Sequence, residues 1–431
     1  MKKSLLLISF LFLSFTAISS FVPMGTGLNG RVKALVVFNN EIYAGGEFTS
    51  PSRVAKWNGA SWEQVGAGFS DGIVNALVVH NGQLYAGGTF TQSGANSVKR
   101  LAVLTGGTWQ EVNGGLTNGA INAFLSDAAG LYFVGNFGVL APTNISRVGL
   151  YNGSTFSQVG NQPAAGSVNA IAKYNSEIYI GGLHTSFPNG VSRLAGSTWT
   201  ALSGGLNNEV LTLATFNGRL YIGGRFNSPG QYFASYLSGS IGTAVYSLNN
   251  HLLSLMATPL KLFGGGSFTT SPSNGSSIPY FFSANISGSP LFSEGSSLNG
   301  AIYAMAYQNG KVIVGGDFTA NGATNMNRVA ISANTIDVME VAPVVISKNF
   351  YPNPARNFSN LSVETKEPLK NPVLLIADSR YRIVEVPVNI IQNGNHTEFR
   401  ISVSSLASGQ YFYTVIDELG QNLFGDRFIV E

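Results

Sequence analysis

Seven times along the chain an apolar residue opens a stretch of alternating residues. Eleven positions later a Tyr, Phe or Ile opens a second stretch, whose fourth residue is always Gly. The pairs are Val32/Tyr43, Val74/Tyr85, Ile121/Tyr132, Val168/Tyr179, Val210/Tyr221, Leu252/Phe263 and Ile302/Ile313, with Gly46, Gly88, Gly135, Gly182, Gly224, Gly266 and Gly316 as the constant glycine. In the second copy Val74, Ala76 and Val78 alternate with Asn75, Leu77 and Val79. His80-Asn81-Gly82-Gln83 then turns the chain and Leu84-Tyr85-Ala86-Gly87-Gly88 returns. Asn-Gly supplies the positive φ angles of a two-residue hairpin turn, and it recurs at Asn217-Gly218 and Asn309-Gly310. The spacing is kept through seven copies while the distance between copies drifts between about 42 and about 50 residues, which marks one supersecondary unit repeated with variable loops. The pattern predicts an all-β fold, a seven-bladed β-propeller with four strands to a blade.

Most copies place a Phe two residues past the constant glycine: Phe48, Phe90, Phe137, Phe226, Phe268 and Phe318, with His184 in the fourth copy. The glycine is expected to admit a close backbone approach and the Phe to pack between blades. The loops that follow, such as Thr91–Lys99, Gly138–Ser146 and Thr269–Ile278, vary most and are the natural place for a binding surface. A third strand comes next, then a turn into a fourth. The segment Phe21-Val22-Pro23-Met24-Gly25 resembles a fourth strand such as Trp62-Glu63-Gln64-Val65-Gly66. It is therefore expected to complete the last blade, whose own chain runs through Val329-Ala330-Ile331 and Ile336-Asp337-Val338.

In the first copy the last turn is Trp57-Asn58-Gly59-Ala60-Ser61-Trp62, and Trp109, Phe156 and Trp199 hold the later aromatic position in copies two to four. A Gly-Gly strand end followed by an aromatic and then by Trp resembles the kelch-type propeller repeat. Copies five and six lack the Trp, and the resemblance implies fold only.

The two ends of the chain read differently. Residues 1–20, MKKSLLLISFLFLSFTAISS, carry two lysines, an apolar run from Leu5 to about Ala17 and then small residues, the pattern of a secretory signal peptide too short in its apolar run to span a bilayer. No later segment is apolar for long enough to span. The repeats stop near Glu340, and a linker over residues 341–348 leads to Asn349-Phe350-Tyr351-Pro352-Asn353-Pro354-Ala355. Alternating stretches at Asn360–Val363, Val373–Ala377, Phe399–Val403, Tyr411–Ile416 and Leu423–Val430 follow. They predict a small antiparallel Ig-like sandwich over residues 349–431.

This region resembles the C-terminal sorting domain (type A) of the type IX secretion system of the Bacteroidetes. The matching residues are Tyr351, Pro352, Asn353, Pro354 and Ala355, Ile376-Ala377-Asp378, Ile401-Ser402-Val403 with Leu406, Gly409-Gln410-Tyr411 and the closing Phe428-Ile429-Val430. Ser379-Arg380-Tyr381 departs from the glycine turn that the family often has there. The resemblance implies Sec export, translocation across the outer membrane by the type IX machinery as partner, and release or attachment at the cell surface.

Charge does little to narrow the ligand. Residues 21–340 hold 14 Lys and Arg against 12 Asp and Glu, and residues 341–431 hold 8 against 9, so no basic stripe for nucleic acid is visible. Cysteine is absent, which removes disulfides, thiolate metal sites and Cys nucleophiles, and with them the Cys-Tyr cofactor of copper oxidases that share the kelch-type fold. His80, His184 and His251 fall at unrelated places in their copies, and no cofactor or metal is expected.

One polar position recurs before the third strand: Arg53, Arg100, Arg147, Arg193 and Arg328. Guanidinium groups around one face could bind carboxylates or acidic sugars, or each could simply cap its own loop carbonyls. Tyr280-Phe281-Phe282 could form a stacking platform for a sugar or a core strand. The acidic residues are scattered. Only Glu47 and Asp317 share a repeat position, in copies that a closed ring makes neighbours. The expected work is non-catalytic binding of a glycan or protein outside the cell, with a polysaccharide-active hydrolase or lyase as the alternative.

Overall fold

The computed structural model describes residues 21–138, 145–161, 166–184, 190–237, 239–243, 246–273, 275–285, 291, 296–334, 345–366, 368–369, 372–378, 383–384, 386–416 and 422–431. The expected signal peptide, the Ile336-Asp337-Val338 stretch, linker residues 341–344 and the turn at Ser379-Arg380-Tyr381 lie outside the described residues. The chain divides into two compact units, Met1–Asp337 and Val338–Glu431. Every regular element described is a β-strand.

The first unit holds a succession of separate antiparallel sheets of three or four strands, numbered here one to seven in chain order, with two-stranded ribbons in the loops of sheets two, six and seven. In the first, strands Val32–Phe38, Glu41–Gly46, Val54–Trp57 and Trp62–Gln64 pair in chain order. The meander restarts at Val74, Ile121, Gly166, Val210, Leu252 and Ile302. The sixth sheet has three strands among the described residues. The seventh receives its fourth strand from the other end of the unit: Phe21–Pro23 lies antiparallel to Val329–Ser332, with Phe21 opposite Ser332 and Pro23 opposite Ala330. Pro23 is tolerated because this is an edge strand.

The Gly-Gly pair that ends each second strand explains how the sheets pack. A β-carbon on the constant glycine would overlap the carbonyl oxygen of the residue before the first strand: Arg31 at Gly46, Ile73 at Gly88, Glu209 at Gly224 and Ala301 at Gly316. The glycine before it seats the first apolar residue of the next sheet. Gly45 faces Val74, Gly87 faces Ile121, Gly181 faces Val210, Gly223 faces Leu252 and Gly265 faces Ile302; Gly315 of the seventh sheet faces Val32 of the first. Buried clusters follow the same succession, and one joins Ala304, Ala306, Ile313 and Val329 to Val32, Leu35, Ile42 and Ala44. The repeated Phe residues are fully buried in these interfaces, each worth roughly 1.5–3 kcal/mol. Trp109 and Trp199 add a polar tie: their indole N–H groups donate to Val65 O at 3.1 Å and Val159 O at 3.0 Å in the preceding repeat. Phe281 and Phe282 are wholly buried in the third strand of sheet six, so they are core and not a platform.

The second unit is a sandwich of two four-stranded antiparallel sheets. One sheet orders Val345–Tyr351, Phe358–Thr365, His396–Ser402 and Val388–Asn393; the other orders Ile383–Val384, Val373–Ala377, Gly409–Ile416 and Asn422–Val430. Leu361, Val363, Phe399, Ile401, Tyr413, Val415 and Phe428 fill the space between them. Val345–Lys348, which the sequence reading puts in the linker, pair with Glu364, Thr365 and Val363 as part of the first strand. That strand lies at the sheet edge and is exposed along most of its length, so it lacks the alternation by which a strand is recognised.

Candidate functional site

The first strands carry the most regular irregularity of the molecule. Each pairs the apolar residue that opens the repeat, Val168 in sheet four, with the constant glycine and then slips by one, leaving a bulged residue unpaired. The bulged residues are Lys33, Asn75, Asn122, Asn169, Leu211, Leu253 and Tyr303. A bulge re-aims a side chain away from the ladder, and three of these side chains reach the next sheet. Asn75 Nδ2 donates to Ile121 O at 3.0 Å and Asn122 Nδ2 to Val168 O at 3.1 Å. Asn169 Nδ2 donates to Val210 O at 3.0 Å and to Glu209 Oε1 at 2.9 Å. An amide ladder therefore runs from sheet two to sheet five at one end of the first strands.

Between sheets seven and one the ladder gives way to charge. Arg31, the residue before the first strand, places Nη1 3.4 Å from Glu47 Oε1 and Nη2 3.4 Å from Asp317 Oδ2. Its guanidinium lies over the Tyr303 ring, 4.8 Å from the centroid, and Tyr303 OH donates to Asp317 Oδ2 at 3.4 Å. Burial alone would lower the pKa of Arg31, but Tyr303, Glu47 and Asp317 outweigh it and the pKa is raised. Burial, then Asp317, pushes Tyr303 up. Lys33 goes the other way: burial and then Arg31 lower its pKa against the pull of Glu47. The two carboxylates at equivalent repeat positions are thus brought together, with a guanidinium between them instead of an open gap.

Sheet five carries the inverse pair at the same positions. Glu209 precedes the first strand and Arg225 follows the constant glycine, Nη1 to Oε2 3.4 Å. His251, one repeat on, packs edge-on against Tyr232 at 5.5 Å, and its pKa is lowered first by burial and then by Arg225.

The recurrent arginines have a different geometry from the one their chemistry suggests. Arg53, Arg100, Arg147 and Arg328 sit immediately before the third strand in the left-handed region, with φ of 66°, 67°, 61° and 75°. Gly190, Tyr232 and Tyr280 hold the same place in sheets four to six. In every sheet the carbonyl of this residue accepts the N–H of the constant glycine, as at Gly46 N to Arg53 O, 3.0 Å. The guanidinium groups donate to backbone carbonyls: Arg53 to Glu47 O, Arg328 to Asp317 O, Arg100 to Gly119 O and Leu116 O, and Arg147 to Gly166 O. Arg193 falls inside the third strand, three residues past the equivalent position, and pairs with Glu177 at 3.3 Å.

Sequence reasoning passed over a second recurrent polar residue. Asn29, Asp71, Asn118, Asn207, Asn249 and Asn299, each three residues before the first apolar position, accept backbone N–H groups from the loop that follows the buried Phe. Asn29 Oδ1, for example, takes Thr49 N at 2.8 Å and Ser50 N at 3.2 Å. The signal was present as an Asn or Asp at constant spacing.

In the second unit the Tyr351-Pro352-Asn353-Pro354-Ala355 segment clasps the last strand. Asn353 Oδ1 accepts Ile429 N at 2.9 Å, Ala355 N donates to Ile429 O at 2.8 Å, and Glu431 N donates to Ala355 O at 2.9 Å. Ala355 is fully buried, whereas Tyr351 is 71% exposed. The family model described as secretion system C-terminal sorting domain matches residues 349–431. The C-terminal unit is a sorting domain. Such a domain implies an interaction with the type IX machinery and secretion to the cell surface. Within the sorting domain Ser359 Oγ further holds Pro352 O at 2.8 Å, so the motif is built into both ends of the fold.

The search of curated proteins finds no match. Solved structures with some likeness include PorZ, an essential bacterial surface component of the type IX secretion system of Porphyromonas gingivalis. It matches over 95% of this chain and 85% of its own at 11% identity and a TM-score of 0.28. A chain of the mitotic checkpoint complex matches over 72% and 92% at 13% identity and 0.47. A fungal alcohol oxidase of the AA5 family, in complex with copper, matches over 96% and 99% at 11% identity and 0.41. None of these likenesses carries a functional conclusion. Among the described residues no helix is long and apolar enough to cross a membrane, and no three His, Asp or Glu side chains converge.

Proposed function

We propose that residues 21–340 close into a seven-bladed β-propeller of kelch-like repeats. In this reading a signal peptide at residues 1–20 and the sorting domain at residues 349–431, beyond a linker at 341–348, export the protein to bind a glycan or protein outside the cell. The sorting-domain match carries the export half. The ring is supported by the seven repeats, by the seating of Val32 on Gly315 and by the strand that Phe21–Pro23 adds to the seventh sheet. Binding is favoured over hydrolysis because Arg31 occupies the space between Glu47 and Asp317. At Arg53, Arg100, Arg147 and Arg328 a ligand would share the guanidinium groups with backbone carbonyls they already donate to. The variable loops and the ends of the first strands are therefore the better surfaces.

The test is a glycan-array screen of the mature protein beside an assay for products released from the same polysaccharides. Binding without turnover is expected; released oligosaccharides would overturn the non-catalytic reading. Removing residues 349–431 is expected to retain the protein in the periplasm. Equal appearance of the truncated and full chains in the medium would overturn the route.

A further inference from the structure

One outer face of the sorting domain carries a groove that its fold does not require. Along Phe358–Thr365 and His396–Ser402 alternate residues are buried in the sandwich core, so Phe358, Asn360, Arg400 and Ser402 stand on the opposite, outer face. The strand register aligns them: Tyr351 lies opposite Asn360, Asn360 opposite Arg400 and Arg400 opposite Asn389, with Phe358 opposite Ser402 in the next row. Directly opposed side chains have β-carbons about 4.5–5.5 Å apart, so these groups are neighbours. A cavity of about 560 Å³ opens here, a size suited to a small ligand, and Phe358, Asn360, Asn389, Arg400 and Ser402 are among its walls. Two features have no structural task. The Phe358 ring is 61% exposed, and Tyr351 is more exposed still although Phe350 beside it stacks on Phe428 in the core. The carboxamides of Asn360 and Asn389, on either side of Arg400, make no hydrogen bond among the described residues.

We propose that this groove binds a neutral oligosaccharide, with one pyranose lying on the Phe358 ring and its hydroxyls bonded to Asn360, Asn389 and Ser402. The apolar C–H face of a pyranose suits an exposed aromatic ring, and each carboxamide offers both a donor and an acceptor to the hydroxyls along the sugar's edge. The charge of Arg400 is answered by Glu398, which takes Nε at 3.4 Å and Nη2 at 3.5 Å. An anionic sugar therefore gains little over a neutral one. A docking polypeptide is less well served, because the side chains between the rings and the sheet edge are carboxamide and guanidinium where a protein interface has an apolar centre. The site lies within the sorting domain and is independent of the binding role proposed above for residues 21–340.

The experiment screens the full mature protein on an array of neutral oligosaccharides that includes cellohexaose, maltohexaose and mannohexaose, with polygalacturonate beside them, and measures affinity for the bound member by calorimetry. Phe358→Ala is expected to lose about tenfold or more and Asn389→Ala about fivefold. Phe358→Tyr, which keeps the ring, and Val373→Ala, on the outer face of the other sheet, are expected to bind as the parent does. These positions are exposed, so the variants should unfold in urea as the parent does. Absence of binding to every neutral member would overturn the site, and preference for polygalacturonate would overturn the ligand class. Neutral-glycan binding that survives both Phe358→Ala and Asn389→Ala undiminished would overturn this inference while leaving the binding role of residues 21–340 standing. Secretion blocked by Phe358→Ala with glycan affinity unchanged would assign the face to the secretion machinery and overturn the inference as well.

Discussion

Sheets one and five present the same backbone slot with opposite charges. In sheet one Arg31 precedes the first strand and Glu47 follows the constant glycine; in sheet five Glu209 precedes and Arg225 follows. Both pairs span 3.4 Å, so the slot holds the same ion pair in either order at the same separation. What differs is the neighbourhood. Glu209 has both oxygens engaged, one by Asn169 and one by Arg225, beside the apolar bulge residue Leu211. Arg31 is shared between two carboxylates beside the bulged Lys33, whose charge Glu47 attracts. A repeat position therefore has a structural layer, common to all copies, and a chemical layer that distinguishes one junction from another.

The structural layer should break identically at both places. A β-carbon at Gly46 would overlap Arg31 O, and one at Gly224 would overlap Glu209 O. Neither strand can shift without displacing the neighbouring sheet. Gly46→Ala and Gly224→Ala are each expected to cost about 3 kcal/mol in urea unfolding, and to agree within about 1 kcal/mol. A large cost at one and none at the other would mean that the two slots are not equivalent.

The chemical layer should separate them. Arg31→Ala leaves Glu47 and Asp317, whose side chains are only 33% and 28% exposed, close together without their cation. A loss of about 1–2 kcal/mol is expected, with part of the charge interaction already screened by solvent. Arg225 is 52% exposed and Glu209 keeps its amide partner, so Arg225→Ala is expected to cost less than about 1 kcal/mol. Equal losses would erase the distinction between the junctions.

How far these layers could be read from the sequence follows from what each needs. The apolar opening residue and the constant glycine are legible because sterics allow little else: the glycine touches a carbonyl, and the apolar residue fills the seat offered by its neighbour. The bulge was not legible, since Lys33, Asn75, Leu211 and Tyr303 share a backbone conformation but no side-chain chemistry. Spacing alone puts Arg193 in register with Arg53 because loops before the third strand differ in length, whereas the element shared there is a left-handed φ that Gly190 supplies. The carboxylate pair of Glu47 and Asp317 was legible as a shared position; the guanidinium between them was not, because Arg31 stands at a position occupied by Ile73, Ala120 and Ala301 in other copies. In the sorting domain the motif was visible, but its role as a clasp on Ile429 and Glu431 depends on contacts across the whole domain.

The smallest effect should appear only on the sheet-five side, as a dependence on pH. His251 has its pKa lowered, first by burial and then by Arg225, with Glu209 opposing. The unfolded chain, with a histidine near the ordinary value of about 6.5, then binds more protons than the folded protein as pH falls through that value. Stability contributed by keeping His251 neutral is therefore fully present above the unfolded pKa. It declines as pH drops from there toward the depressed folded value. His251→Gln removes the titrating group, so the variant is expected to show a shallower loss of stability than the parent across this window, measured by urea unfolding at matched ionic strength. No described histidine contact involves Arg31, and Arg31→Ala should shift the whole curve without changing its slope there. If His251→Gln leaves the slope unchanged, the histidine titrates as freely in the folded protein as in the unfolded chain, and the two junctions differ only in their permanent charges.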